Sequence, residues 1–198
     1  MMKTNFGKPP DALKRSAFPV SDKLRRFLWM VAYRLLFRWT PIPLHGWRSW
    51  ILRLFGADIG RDNFIYPDAC IWAPWLLRTG AVVTLGPRCE IYNPGGISLG
   101  HHTIISQGSY LCGATHDYNS PDFSYVKKEI ITGPYTWICA RAIVLPGVLC
   151  GEGSVLGAGS VIASAMKPWT VYAGNPAKAL KSRNPSIIAN QPDHAEPQ

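Results

Sequence analysis

A six-residue repeat runs through the second half of the chain and limits its fold more than any other feature. Between Ile138 and Val161 the sequence reads ICARAI, VLPGVL, CGEGSV and LGAGSV without a slip. An amphipathic helix repeats near 3.6 residues and a strand near two, so neither accounts for a period of six. Hexapeptide repeats are typical of a parallel β-helix, in which each coil buries its inner face only against neighbouring coils. The residues predicted to point inward are the first of each block, Ile138, Val144, Cys150 and Leu156.

The repeat extends upstream with interruptions. Further phased sets begin at Ile59, Leu85 and Leu99, each followed by a glycine. The pattern then breaks over residues 117–129 and resumes. The sequence therefore predicts an all-β solenoid over residues 57–172, with an excursion at 117–129. An ordinary all-β domain of many short strands is the alternative.

The segments on either side of the repeat differ from it in composition. Apolar residues at helical spacing, ended by prolines, predict short helices before the solenoid. A short helix is also predicted from about Pro176 to Arg183. The predicted divisions are a flexible N-terminus (1–20), a basic, aromatic helical segment (21–56), a C-terminal segment (173–184) and a disordered tail (185–198).

The positive charge lies ahead of the repeat. Residues 1–61 contain twelve Lys and Arg against three Asp, whereas residues 62–198 contain nine residues of each sign. This asymmetry indicates an anionic neighbour for the front end, although a solvated basic surface has the same composition. Arg and Trp mixed on the short helices of residues 21–56 are typical of a membrane interface. The alternative, which we prefer from sequence alone, is that these helices cover the open end of the β-helix; both can hold at once.

The cysteines and the apolar stretches indicate the cellular compartment of the protein. The five cysteines are odd in number and include no CxxC pair, which argues against a disulfide framework and a zinc knuckle. Residues 1–10 are polar and lack the apolar core of a cleavable signal. The longest apolar stretch, residues 27–39, is shorter than the ~20 residues that a membrane span needs. We therefore expect a cytoplasmic protein, alternatively one held peripherally on the inner membrane face.

Two motifs outside the core repeat carry a family resemblance. The run Ala173-Gly174-Asn175-Pro176-Ala177-Lys178, and Thr115-His116-Asp117 just before the excursion, resemble hexapeptide-repeat O-acetyltransferases. The resemblance is to the branch with colanic acid biosynthesis, nodulation and maltose or galactoside acetyltransferases, and covers roughly residues 22–183. It implies a left-handed parallel β-helix, a homotrimer, acetyl-CoA as donor, and active sites in grooves between subunits.

The resemblance also assigns roles at the reacting centre. His116 matches the general base, and an imidazole that titrates near neutrality suits removal of a hydroxyl proton. Trp137 matches a residue that lines the groove near the thioester. The backbone N–H of Ala140 matches a position beside the acetyl carbonyl, where a fixed amide stabilises a developing oxyanion.

Binding positions for coenzyme A and for the acceptor follow from the same resemblance. Relatives often carry Thr-Lys-Asp where this chain has Ala163-Ser164-Ala165, so the usual lysine is absent. Either Lys167 reaches the same place or the affinity for coenzyme A is weaker. The coenzyme A set is Ala158, Gly159, Ser160, Lys167, Lys178, Lys181 and Arg183. The acceptor set is Glu90, Asn93, Asp117 and Tyr118, of which the last two begin the excursion. The asparagine of maltose-type enzymes has no clear counterpart here, so the resemblance does not name the sugar.

The expected acceptor is a sugar, free or lipid-linked, used in exopolysaccharide biosynthesis. A soluble small sugar, an amino sugar or an antibiotic is the alternative within the enzyme class. Outside it stand a non-catalytic scaffold and a zinc-dependent hydratase, since trimeric β-helices include a zinc class. The pair His101-His102 falls in variable, outward slots, and no second His follows His116 in the excursion. Catalytic zinc needs three protein ligands, so we expect no metal, and we expect no nucleic-acid partner.

Overall fold

The computed structural model describes residues 18–186, which form a parallel β-helix with helices at one end. Nineteen short strands make up the fold. They are β1 (Asp58–Ile59), β2 (Phe64–Ile65), β3 (Cys70–Ile71), β4 (Leu77–Thr79), β5 (Thr84–Leu85), β6 (Glu90–Tyr92), β7 (Ile97–Leu99), β8 (Ile104–Ile105), β9 (Tyr110–Cys112), β10 (Ala114–His116), β11 (Tyr125–Lys127), β12 (Ile130–Thr132), β13 (Trp137–Ile138), β14 (Ile143–Val144), β15 (Leu149–Cys150), β16 (Val155–Leu156), β17 (Val161–Ile162), β18 (Thr170–Gly174) and β19 (Ala177–Ser182).

Three sheets form the faces of the prism. Sheet A contains β1-β4-β7-β12-β15, sheet B contains β2-β5-β8-β13-β16-β18-β19, and sheet C contains β3-β6-β9-β14-β17. Each coil passes through A, B and C in turn, which gives five complete coils and a partial sixth. All pairings within the sheets are parallel except β18 with β19. The predicted solenoid is therefore confirmed, whereas the left-handed sense stays a prediction.

The core follows the six-residue repeat. The four inward positions of the unbroken stretch, Ile138, Val144, Cys150 and Leu156, are all buried, and so are the small fifth residues of their blocks. Stacked aliphatic columns of this kind contribute roughly 1.5–3 kcal/mol for each fully buried large side chain. The five cysteines are free thiols, and burial raises the pKa of Cys150 to about 12, as expected for a core residue.

Turns between the sheets define three edges of the prism. The AB edge contains turns 60–63, 80–83, 100–103, 133–136, 151–154 and 167–169. The BC edge contains turns 66–69, 86–89, 106–109, 139–142 and 157–160, with 174–176 beyond them. The CA edge contains turns 72–76, 93–96, 145–148 and 163–165, and the excursion also leaves from this edge.

Helices cover the first coil, as the sequence indicated. Helix α1 (Val20–Ala32) continues into a π-helical turn (Tyr33–Phe37), helix α2 (His45–Leu54) follows, and a short 3₁₀ turn (Pro74–Leu76) lies beside β3. The Trp29 indole N–H donates to the Ile71 carbonyl at 2.7 Å. Arg48 is fully buried and donates to the carbonyls of Ile65 and Pro41. These bonds fix the inner side of the helices to the coil.

The C-terminal segment corrects one prediction. Residues Ala177–Ser182 form strand β19, antiparallel to β18, so the helix predicted from Pro176 to Arg183 is wrong. The Ala- and Lys-rich composition favours a helix, but β18 leaves an open sheet edge whose backbone groups need partners. Pairing with that edge outweighs local propensity. The predicted flexible N-terminus up to residue 17 and the tail from residue 187 lie outside the described residues.

Candidate active site

His116 lies at the end of strand β10, on a hairpin formed by the excursion. Strands β10 and β11 pair antiparallel, with His116 opposite Tyr125. The Nδ1 atom of His116 lies 2.9 Å from the carbonyl oxygen of Phe123, and the His116 and Phe123 rings stack with centroids 4.5 Å apart. A carbonyl only accepts hydrogen bonds, so Nδ1 carries the proton of the neutral ring and Nε2 keeps its lone pair. This is the arrangement that a general base requires.

Aromatic contacts hold the hairpin against the CA edge. The phenol oxygens of Tyr92 and Tyr125 lie 2.8 Å apart. Phe18, just ahead of α1, packs on Trp72 and Tyr125 with ring centroids 5.1 and 5.6 Å apart. Burial, together with the Tyr92 hydrogen bond, raises the pKa of Tyr125 well above its ordinary value, so this phenol stays neutral. The excursion is therefore a supported element rather than an unattached flap.

The tip of the hairpin carries two of the predicted acceptor residues. Asp117 and Tyr118 are both exposed, and Tyr118 is among the most exposed side chains. An Asp117 carboxylate oxygen accepts the N–H of Asn119 at 3.0 Å, which fixes the turn. Asp117 and Tyr118 therefore lie on the same hairpin as His116, with both side chains open to solvent.

A second group of predicted residues lies at the BC edge. Trp137 is 43% exposed on sheet B, and its indole N–H donates to the Ser106 hydroxyl at 2.9 Å. In the turn beside it, the carbonyl of Ala140 accepts the N–H of Gly159 at 2.9 Å. The N–H of Ala140 donates to no acceptor within residues 18–186, so it is available to an incoming oxygen. Ser106 was not predicted, because no sequence signal links it to a tryptophan 31 residues later.

Open backbone continues from Ala140 into the next coil. Ala158 and Gly159 are exposed, and a Cβ added to Gly159 would meet no atom within 4 Å. Lys178 and Lys181 are exposed on strand β19, which extends the same sheet. Lys178 lies opposite Ala173, toward the BC edge, whereas Lys181 lies opposite Val171, toward the AB edge. Small side chains, accessible main chain and the Lys178 ammonium group suit the pantetheine and phosphates of coenzyme A.

Other predicted binding residues are used inside the fold. The buried Ser160 hydroxyl accepts the N–H of Gly174 at 3.0 Å, and its carbonyl accepts the N–H of Ile143. An Arg183 nitrogen donates to the carbonyls of Tyr135 and Gly153 at 2.9 and 3.0 Å. Ser160 and Arg183 therefore stabilise the coils. Lys167 lies exposed in a turn of the AB edge, away from Ala140.

Glu90 and Asn93, two of the predicted acceptor-binding residues, differ in whether their side chains reach solvent. Glu90 is exposed on β6, beside Tyr110 of the next coil. Asn93 is fully buried, and its amide donates to the carbonyl of Ala73 and accepts its N–H, at 2.8 and 3.0 Å. The interpretation of Asn93 as an acceptor contact is therefore wrong, since both polar ends of its side chain link two coils.

His116 and Ala140 lie at different edges of the prism. The hairpin leaves at the CA edge, whereas Ala140 and Ala158 lie at the BC edge, across sheet C. A face of six residues spans about 15–20 Å at ~3.3 Å per residue. Within residues 18–186, no hydrogen bond or ring contact joins the hairpin to the turns 139–142 or 157–160. One chain therefore does not bring the predicted base and the predicted oxyanion amide together.

The histidine pair lies at the AB edge, away from His116. The Nδ1 atoms of His101 and His102 are 2.9 Å apart, and the His102 ring stacks on Tyr135. Within the described part of the chain, no cluster of three His, Cys, Asp or Glu side chains is placed to hold a metal ion.

Comparison with known proteins identifies the class. The chain is 38% identical over 156 residues to WcaF of Escherichia coli K12, which is named as a colanic acid biosynthesis acetyltransferase; the match covers 79% of this chain and 86% of the relative. The chain belongs to the hexapeptide-repeat acetyltransferases. It is therefore an acyltransferase. No protein-family model matches the chain.

Solved structures share the fold of this acetyltransferase. A maltose O-acetyltransferase from Clostridium difficile 630 superposes with a TM-score of 0.70 at 22% identity, covering 88% of this chain and 96% of its own. A galactoside acetyltransferase in complex with coenzyme A superposes with a TM-score of 0.71 at 17% identity, covering 85% of this chain and 86% of its own. At these identities the likeness is one of fold.

Proposed function

We propose that this acetyltransferase moves the acetyl group of acetyl-CoA to a hydroxyl of a sugar, in exopolysaccharide biosynthesis in the cytoplasm. The relative named for colanic acid biosynthesis supports the polymer, and the fold shared with maltose and galactoside acetyltransferases supports a sugar acceptor. The observation that carries the proposal is the His116–Phe123 hydrogen bond, which leaves Nε2 free to take a proton.

The reaction proceeds by direct attack in this account. His116 Nε2 removes the proton from the acceptor hydroxyl as its oxygen bonds to the acetyl carbon. The N–H of Ala140 donates to the carbonyl oxygen as negative charge develops there. The C–S bond then breaks, and the imidazolium returns its proton to the departing thiolate. The sulfur leaves as the thiol of coenzyme A, the enzyme regains its neutral histidine, and no covalent enzyme intermediate forms.

The proposal includes a homotrimer. His116 and Ala140 lie at separate edges of one prism, so they meet only where the CA edge of one chain faces the BC edge of another. Such a contact is heterologous, and it closes into a ring under a cyclic rotation. A threefold ring forms three equal sites, each with a base from one subunit and an oxyanion amide from the next.

The test is thiol release from acetyl-CoA by the purified chain, with a panel of free sugars, amino sugars, antibiotics and sugar-lipids. His116→Ala is expected to lower kcat by at least ~100-fold, because a positioned base contributes that much. His101→Ala is the matched control, since His101 lies at the AB edge, and it should retain activity. Equal turnover by His116→Ala and the parent chain would overturn the mechanism. No thiol release with any acceptor would favour a scaffold, and bound zinc with CO₂ hydration would favour the hydratase.

A further inference from the structure

The N-terminal helices carry a large apolar surface that the rest of residues 18–186 leaves exposed. Of 22 large apolar side chains exposed within residues 18–186, 14 lie between residues 20 and 54. Leu35 and Trp39 are 73% and 81% exposed. We call the exposed side chains of residues 20–54 the helical surface. Apolar exposure on this scale marks a binding surface rather than ordinary scatter.

The helical surface faces away from the coil that the helices cover. Trp29 and Arg48 point inward and bond to carbonyls of the first coil. On the outer side, the exposed rings of Trp47 and Trp50 stack with centroids 5.2 Å apart. The inner face therefore packs on the solenoid, whereas the outer face presents indole rings and aliphatic side chains that no element within residues 18–186 covers.

The charge of this region is almost wholly positive. Residues 18–61 contain eight Arg and Lys against Asp22 and Asp58. Asp22 pairs with Arg26, with 3.0 Å between the carboxylate oxygen and the guanidinium nitrogen. Arg34 and Arg38 are exposed and form no ion pair with a carboxylate among residues 18–186. Cationic side chains thus flank an apolar, tryptophan-containing face.

We infer that the helical surface docks on an anionic phospholipid bilayer. Tryptophan prefers headgroup depth, aliphatic side chains enter the acyl boundary, and Arg and Lys meet lipid phosphates. A second copy of the chain suits this surface poorly, because self-association would bring unpaired cations together. No helix within residues 18–186 is long and apolar enough to cross a membrane, and α1 has 13 residues. The helices therefore lie along the bilayer surface.

Docking on a bilayer indicates which class of acceptor the enzyme uses, and this step rests on the proposed function. The start of α1 is joined to the His116 hairpin, because Phe18 packs on Tyr125 and the Lys127 ammonium of β11 lies 4.7 Å from the centre of the Phe18 ring. A helix held at the headgroups thus holds the His116 hairpin close to the bilayer. The acceptor is therefore a sugar carried on a membrane lipid.

The test is flotation of the full chain with vesicles of phosphatidylcholine alone, or mixed in equal parts with phosphatidylglycerol. Binding to the mixed vesicles is expected, with little binding to phosphatidylcholine and less at high salt. Arg34→Glu/Arg38→Glu should weaken binding at least ~10-fold, because two attractive charges become repulsive. Leu35→Asn/Trp39→Ser should weaken binding at low and at high salt alike, because the double change removes apolar contact with the bilayer.

Matched controls are Arg78→Glu on sheet A and Leu180→Asn on β19, which are also exposed and lie outside the helical surface. They should bind like the parent chain. Failure of the parent chain to float with anionic vesicles would overturn the inference, as would unchanged binding by both double variants. A loss of trimer mass in Leu35→Asn/Trp39→Ser, without vesicle binding by the parent, would assign the surface to subunit contact instead. Thiol release with a soluble sugar tests the proposed function separately, since it needs no vesicle.

Discussion

The carbonyl oxygen of Phe123 lies 2.9 Å from His116 Nδ1, while the Phe123 side chain stacks on the same imidazole. One residue thus fixes both the tautomer and the plane of the ring. The left-handed backbone of Phe123 (φ 48°) is part of the tight turn that brings its carbonyl back to β10. Phe123 is therefore a positioning residue for the proposed base.

Phe123→Ala should lower kcat about 10-fold, because a displacement of about 1 Å in a catalytic group slows the reaction markedly. The carbonyl remains in this variant, so the loss reports ring packing alone. The KM for acetyl-CoA should hardly change, because the proposed coenzyme A surface lies at the BC edge. Phe123→Tyr should restore most of kcat. A change confined to KM, or no rescue by Tyr, would contradict the positioning role.

The Tyr92–Tyr125 contact should measurably stabilise the hairpin. Tyr92→Phe removes one hydroxyl of a bond between phenol oxygens 2.8 Å apart and should reduce the free energy of unfolding by about 1 kcal/mol. Chemical denaturation of Tyr92→Phe, Tyr125→Phe and the double variant forms a complete cycle. The double variant is expected to lose less free energy of unfolding than the sum of the losses in the two single variants. Strict additivity would show that the two hydroxyls do not interact.

Asn93→Ala should destabilise the fold rather than alter acceptor binding. The change leaves the Ala73 N–H unpaired, whereas the Ala73 carbonyl keeps the N–H of Leu76, so it should cost ~1–3 kcal/mol in the free energy of unfolding. Glu90→Gln, at an exposed position on β6, should change the free energy of unfolding by less than ~0.5 kcal/mol. Thermal denaturation measures both. A stable Asn93→Ala variant with a raised acceptor KM would restore the original interpretation of Asn93.

Ala158→Glu should weaken the binding of acetyl-CoA without disturbing the fold. Ala158 is exposed, and a carboxylate there would crowd the open backbone and repel the phosphates of coenzyme A. The KM for acetyl-CoA is expected to rise at least ~10-fold, with an unchanged melting temperature. Ala158→Ser is the matched small substitution and should behave like the parent chain. Equal KM values in all three proteins would place coenzyme A elsewhere.

The sequence predicts the solenoid because its inward residues recur at a fixed period, and Ile138 and Leu156 are buried as that period requires. It does not predict β19, because the open edge of β18 outweighs the helix propensity of its residues. The inward side chain of Asn93 was missed because the phase slips at residues 94–96. Tyr92 was missed as a partner of Tyr125 because they lie 33 residues apart and meet only when the hairpin folds back.

The site itself was predictable only in part, and for a related reason. The motif around His116 identifies the hairpin residue, but the carbonyl that fixes its tautomer comes from the far side of the turn. Arg183 reads as a phosphate ligand in a linear sequence, yet its guanidinium bonds to carbonyls of two neighbouring coils. Local composition indicates charge, whereas the stacking of coils decides which charges reach solvent.

Mixed oligomers test the central claim most directly. His116→Ala and Ala158→Glu, which should keep at most about 1% and about 10% of the parent rate when each is assayed alone at low acetyl-CoA, are unfolded together and refolded as a mixture. If each site takes its base from one chain and its coenzyme A surface from the next, about a quarter of the sites in the mixture regain both intact parts. The account predicts thiol release near that fraction of the parent rate. A mixture that forms trimers yet releases thiol no faster than the mean of its two components would contradict it.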